Sequence, residues 1–349
     1  PNNDLRVSIL VACFNEELFV ESKIKNLLSL NYPSEKTDII FVTDGSTDDT
    51  NDIIAKYQKL HPNRIKLYYE EGRKGKQHAI NRIMPLIETD IIIFNDCNTI
   101  INPECVDYIL PHFNNQQVGV VNGEKKIIVE EQDDAVSSGE GLYWRYESVL
   151  KQLDSDFYSS IGSAGELFAV RRSLYEEVPK HIAIEDFYLS MKIILKGYRN
   201  IYEPRAFAKE LSSQTLSEEF KRKTRISAGA FQTMASLKEI YSLKHWKVLF
   251  LYISHRVIRW AFAPICLVLV FLSNFFLEGT FYEVAFKAQI VFYMLALLGY
   301  IFRRKKLKLT LIFIPFYFLF MHVALFKGFY DFITKKNHVV WEKAKRKMS

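Results

Sequence analysis

The chain has 349 residues, 49% of them hydrophobic and 25% charged, and its mean hydropathy of −0.04 fits neither a wholly soluble protein nor a polytopic membrane protein. Its net charge of +6 and pI of about 8.9 come largely from two basic runs, 303–308 and 335–347, each beside an apolar stretch. Anionic lipid headgroups are therefore the expected counter-charge, and no basic, aromatic-rich nucleic-acid surface is present. Four cysteines (Cys13, Cys97, Cys105, Cys266) show neither Cys-x-x-Cys nor His-paired spacing, which argues against a zinc site and a disulfide framework.

Residues 5–14 form a short apolar run closed by Asn15, Glu16 and Glu17, the pattern of a buried parallel strand feeding a polar loop and a helix. Further strands are expected at 38–42, 65–69 and 90–94, with helices at 18–30, 49–60 and 76–88 between them. Alternating strands and helices predict an α/β, doubly wound, mostly parallel sheet that binds ligands at the carboxyl ends of its strands. Residues 120–210 are less regular; a helix from Phe187 should stop at Gly197, and Thr215 with Glu218 has capping-box spacing.

Beyond residue 245 the composition changes, dividing the chain into a catalytic-type domain (1–245) and a membrane domain (246–349). Three apolar stretches, 249–277, 284–302 and 309–326, approach the length of about 20 residues that crosses a bilayer core. The first carries Arg256, Arg259 and Trp260 near its start, read as an interfacial anchor. If all three stretches span, the basic tail lies opposite the catalytic domain, so either one stretch is re-entrant or interfacial or the tail departs from the positive-inside tendency. The chain begins with Pro1 and not Met, which leaves room for an upstream membrane helix, and no signal peptide is legible.

Five groups could carry chemistry. Asp44, after the strand ending at Val42, suits a base N–H or ribose hydroxyl, with Gly45 allowing the tight turn; Ser46 or Asp48 capping a helix is the plainer reading. Asp96 and Asn98 offer oxygen ligands for a divalent cation on a diphosphate, or form a polar turn. Arg73, Lys74 and Lys76 could meet phosphate oxygens at a helix start, or be a solvated basic loop. Glu185 and Asp186 follow an apolar segment, where a carboxylate of raised pKa could take a proton, or Asp186 could cap its helix. Arg222 and Arg225 share a helix face that could clamp a pyrophosphate or rest on lipid.

In this order the residues resemble the inverting family 2 glycosyltransferases of GT-A fold, in particular the membrane-bound polysaccharide synthases that make poly-N-acetylglucosamine, hyaluronan and cellulose. The resemblance implies that Ala12, Asn15, Glu16, Asp44, Arg73, Lys76, Asp96, Arg222 and Arg225 meet the donor, and that Asp96 and Asn98 hold Mg2+ or Mn2+. It further implies that Asp186 is the base beside Glu185, and that Trp144 with Gly162, Ser163, Ala164 and Gly165 borders the acceptor. Asn98 stands where the family has a second aspartate, and 222–226 is a degenerate form of the family's Gln-x-x-Arg-Trp, ending in Ile226. The string 256–260 has the same spacing.

The implied activity is hexosyl or N-acetylhexosaminyl transfer from a UDP-sugar to a growing saccharide, by an integral membrane protein whose catalytic domain is cytoplasmic, at a bacterial inner membrane. Export subunits are left open. Transfer of one sugar to a polyprenyl phosphate or other lipid, and a catalytically silent nucleotide- or glycan-binding subunit, are the competing readings.

Overall fold

The computed structural model describes residues 5–128, 135–211, 215–302 and 310–334; both basic runs lie outside them. The first half follows the expected alternation: β1 (Val7–Cys13), α1 (Glu17–Leu28), β2 (Thr37–Thr43), α2 (Thr50–Leu60), β3 (Ile65–Tyr68), α3 (Lys76–Ile83) and β4 (Ile91–Asn95). Every residue of β1 and β4 is buried, because their apolar side chains are covered on both faces. Helix α3 ends sooner than its pattern suggested, in a 3-10 turn containing Pro85, whose ring removes a backbone donor.

The rest of the chain up to residue 236 comprises β5 (Thr99–Ile101), α4 (Cys105–Ile109), β6 (Val118–Ile128), α5 (Ala135–Phe157), β7 (Leu167–Arg171), α6 (Glu185–Leu195), β8 (Arg199–Leu211) and α7 (Leu216–Ser236). All eight strands share one sheet in the order β3-β2-β1-β4-β7-β6-β8-β5. Its first four strands are parallel, whereas β7 runs antiparallel to both β4 and β6, so the sheet is mixed. Val7 pairs with both Thr37 and Ile91, and this register brings the carboxyl ends of β1, β2 and β4 to one edge. Thr215 caps α7 through its side chain, which accepts from the Glu218 amide at 3.2 Å, as the spacing foretold.

Beyond residue 245 the chain has α8 (Trp246–Tyr252), a π-helical stretch (Ile253–Phe262), α9 (Ala263–Ser273), α10 (Thr280–Phe302) and α11 (Thr310–Ile333). Three segments are long and apolar enough to cross a bilayer: Leu243–Ser273, Thr280–Phe302 and Ile312–Ile333. The third differs from the others: 33% of its most apolar window is covered by protein, against 11% for each of the first two. It packs along the amphipathic helix α7, with Phe320 against Phe220 at 5.7 Å and Phe329 against Phe231 at 5.0 Å. Beside the first of these contacts the Tyr317 hydroxyl donates to Glu219, and between the two Ser227 Oγ donates to the Leu325 carbonyl, each at 3.3 Å.

The closest approach of these helices is at Gly328, where a Cβ would fall 2.4 Å from that of Ser227. Replacing Gly328 with Val should push α11 off α7 and cost about 1–3 kcal/mol, read as a lower unfolding temperature of the detergent-solubilised protein. An unchanged melting curve would show that these helices do not pack so tightly.

Candidate active site

Polar loops leave the aligned ends of β1 and β2 and bind one another. Asn15 adopts φ 54°, in the left-handed region that Asn tolerates, and its side-chain oxygen accepts from the Thr47 amide at 2.8 Å. The Glu16 amide donates to Thr50 Oγ1 at 2.8 Å. Asp44 is buried and its carboxylate accepts from the backbone amides of Lys74 and Gly75 at 2.8 and 2.9 Å. A group read from sequence as a donor contact thus organises the basic loop. Gly45, at φ 70°, lies so near Gly72 that a Cβ would meet its backbone at 2.6 Å. Arg73, held by that loop, stacks 4.0 Å above the Phe14 ring.

Lys76, the first residue of α3, joins the two halves of the site. Its ammonium lies 3.0 Å from Asp96 Oδ1, just past β4, and 2.8 Å from Glu185 Oε1, at the start of α6. Ala12, Lys76, Asp96, Gly165 and Glu185 border one small cavity. Asp186 follows, with Oδ2 3.3 Å from where a Cβ on Gly165 would sit and Asp96 Oδ2 3.8 Å from the same point. The missing side chain keeps the space between these carboxylates open. Burial opposes ionisation of both Glu185 and Asp186, but Lys76 outweighs it at Glu185 and holds that carboxyl below its usual range. Asp186 is pushed up to about 7, by burial first and then by the charge on Glu185. One carboxylate stays charged and its neighbour becomes a base that titrates near neutrality.

These groups open into a cleft of about 930 Å³ that runs from Arg73 to the membrane domain. The Gly162–Gly165 turn forms one border, tied down by Asn122 and Asn200, whose amides donate to the Gly162 carbonyl at 3.2 and 3.1 Å. Gly162, at φ 80°, must be glycine because a Cβ would strike the Phe187 ring at 2.1 Å. Trp144, from α5, and Ile226, from α7, line the cleft as well. The two arginines of α7 do not act as a matched clamp: Arg222 bonds Glu219 at 3.0 and 3.1 Å, whereas Arg225 feels the charges of Glu185, Asp186 and Asp96.

One reading requires correction. Arg256 and Arg259 are not lipid anchors; they converge on the buried Glu147 of α5 at 2.9 and 2.5 Å, and Arg256 also donates to the Ile161 carbonyl at 3.0 Å, beside the Gly162 turn. Burial would keep Glu147 protonated, yet the two guanidiniums hold its carboxyl well below the usual range. Trp260 packs on Phe187 at 5.7 Å, next in the chain to Asp186. Glu147, Lys151, Arg256 and Trp260 all line the cleft; the first two escaped sequence reasoning, and the other two were read as an anchor. The spacing of 256–260 was the available signal, but its partner lies more than a hundred residues away.

Residues 8–178 match the family model described as Glycosyl transferase family 2. The chain carries a glycosyl transferase family 2 domain. Its curated relatives include poly-beta-1,6-N-acetyl-D-glucosamine synthase from Staphylococcus epidermidis, 27% identical over 74% of this chain and 63% of the relative. The protein of that name from Staphylococcus aureus strain COL is 28% identical over 71% of this chain and 59% of the relative. The chain therefore spans about three fifths of the length of these synthases. A mannosyltransferase from Pyrobaculum calidifontis, solved with GDP-Man and Mn2+, superposes with a TM-score of 0.70 at 19% identity, covering 95% of this chain and 88% of that one. The fold is GT-A, as the motif order implied.

Glu147 ties α5 to the π-helical stretch through its ion pairs with Arg256 and Arg259. Glu147→Ala would leave two buried guanidiniums uncompensated and should cost about 3–5 kcal/mol. Thermal unfolding in detergent checks this, with exposed Glu278→Ala as the neutral control.

Proposed function

We propose that the chain is a membrane-bound inverting glycosyltransferase that moves an N-acetylhexosamine or hexose from a UDP-sugar onto a growing saccharide. The observation that carries this reading is the Lys76 bridge between Asp96 and Glu185, with Asp186 titrating near 7 beside it. The names of the staphylococcal relatives support N-acetylglucosamine as the sugar and a polysaccharide as the product.

Arg73 and Lys76 attract the donor diphosphate, and Arg225 faces it across the cleft. Asp186 removes the proton from the attacking acceptor hydroxyl, whose oxygen displaces the nucleotide diphosphate in a single step with inversion at the anomeric carbon. Negative charge collects on the leaving diphosphate, where the Arg and Lys groups stabilise it. Glu185, kept charged by Lys76, holds the pKa of its neighbour up.

A divalent cation fits this donor set. Asn98 donates its amide to Glu210 at 3.0 Å, which leaves its carbonyl oxygen available beside the Asp96 carboxylate. Among the described residues no three His, Cys, Asp or Glu side chains gather as a metal cage, so substrate phosphate oxygens would complete the shell, as they do for Mg2+ and Mn2+ at nucleotide sites. Bound there, the ion would neutralise charge on the leaving diphosphate.

The catalytic domain is proposed to face the cytoplasm of a bacterial inner membrane. The first two apolar segments form the bilayer hairpin, and α11 lies along α7 on the catalytic side. Lys327 and Asp331, near the end of α11, line the same cleft as Asp186.

Purified full-length protein incubated with a UDP-sugar panel and Mg2+ or Mn2+ should turn over one donor, lose activity to EDTA and regain it on metal addition. Asp186→Asn should reduce transfer by at least about 1,000-fold while UDP still binds, and comparable turnover would sink the assignment of the base. Because the base works ionised, kcat should rise with pH through about 7, the value to which Asp186 is raised. Glu185→Gln removes the like charge and should move that acid limb to lower pH. Lipid-extractable monosaccharide as the sole product would favour a polyprenyl phosphate acceptor over a polymer.

A further inference from the structure

The inner end of the cleft holds polar groups that the transfer reaction does not use. Trp144, Glu147 and Lys151 are three and four residues apart on α5, so they share a face, and that face lines the cleft. Lys151 is 4% exposed, and among the described residues its ammonium has no hydrogen-bond partner. The Trp144 indole N–H is likewise buried with no acceptor. The two lie together, the ammonium 5.7 Å from the indole centroid.

Nearby acceptors are already committed. Glu147 serves Arg256 and Arg259, Glu166 serves Lys125, and Glu124 takes the hydroxyls of Ser148 and Tyr202. The Ile161 carbonyl accepts from Arg256. Buried donors left unpaired are costly, so this pair is poised to take an oxygen from a molecule that enters the cleft. A hydroxyl placed here would accept from the donors but find no acceptor for its own proton, whereas a carbonyl oxygen has no proton to place. The Lys151 ammonium stands among charges of both signs, with Glu124, Glu147 and Glu166 offset by Arg256 and with Lys125 4.7 Å from the same indole centroid, so a neutral group disturbs this balance least. The indole offers an apolar surface for a methyl group.

We propose that Trp144 and Lys151 form an acceptor-sugar subsite that recognises an acetamido group, its carbonyl oxygen taken by the two donors and its methyl laid on the indole. This rests on the reading of the chain as a saccharide-extending transferase and names the acceptor's chemistry.

The test is calorimetric binding to the full chain in lipid nanodiscs, with UDP present, of a β-1,6-linked N-acetylglucosamine disaccharide and the glucose disaccharide of the same linkage. The acetylated disaccharide should bind at least about tenfold more tightly. Lys151→Met should abolish that preference and Lys151→Arg should restore part of it. Equal affinities in the unaltered protein, or a preference that survives Lys151→Met, would overturn the subsite. The readout needs no turnover, so the two readings fail separately. Selective binding without sugar transfer overturns the proposed function and keeps the subsite; transfer without selectivity does the reverse.

Discussion

The site depends on one ammonium group. Lys76 starts α3, Asp96 follows β4 and Glu185 starts α6, three positions separated by long stretches of chain that meet only because Lys76 reaches both carboxylates. Burial alone would favour the neutral form of each group; pairing reverses this at Lys76, which is raised, and at Glu185, which is lowered, whereas at Asp96 burial outweighs the pull of Lys76 and the carboxyl stays raised. Asp186 stands next to this pair without sharing it, which is why its proton affinity rises while that of Glu185 falls. The division of labour between adjacent carboxylates follows from where one cation sits.

A second buried charge cluster connects that centre to the membrane domain. Glu147 fixes Arg256 and Arg259, Arg256 fixes the backbone beside the Gly162 turn, and Trp260 backs the Phe187 ring, next in the chain to Asp186. The π-helical stretch makes this possible by presenting Arg256, Arg259 and Trp260 to the catalytic domain immediately before the chain becomes wholly apolar. Helix α11 encloses the other flank along α7. The cleft is consequently lined by residues from both sides of the boundary near residue 245.

The parallel half of the sheet was legible because fully buried strands read as unbroken apolar runs and end in polar loops. Residues 120–210 were not, since β6 carries Gly119, Gly123 and Glu124 and has no clean period, and the 23-residue α5 mixes Trp144 and Tyr143 with charged residues that turn out to face a cleft. The antiparallel insertion of β7 between β4 and β6 leaves no mark in local sequence, because pairing direction is set by which edges remain open when the chain returns. Comparable limits apply to the membrane segments: composition identified three apolar helices, but only packing distinguished the one that lies against α7.

By itself the sequence determined that polar residues follow buried strands, and hence that Asp44 and Asp96 lie at one carboxyl-end edge of an α/β sheet, because strand burial and loop polarity are local properties; Lys76 and Asp186, at helix starts, joined them only through the resemblance of the ordered motifs. Tertiary structure alone decided the partners: that Asp44 holds the basic loop, that Lys76 bridges Asp96 and Glu185, that Arg256 and Arg259 serve Glu147, and that Lys151 is left with a donor and no acceptor. Pairing depends on distances between residues remote in the chain, and on which acceptors their neighbours have already taken.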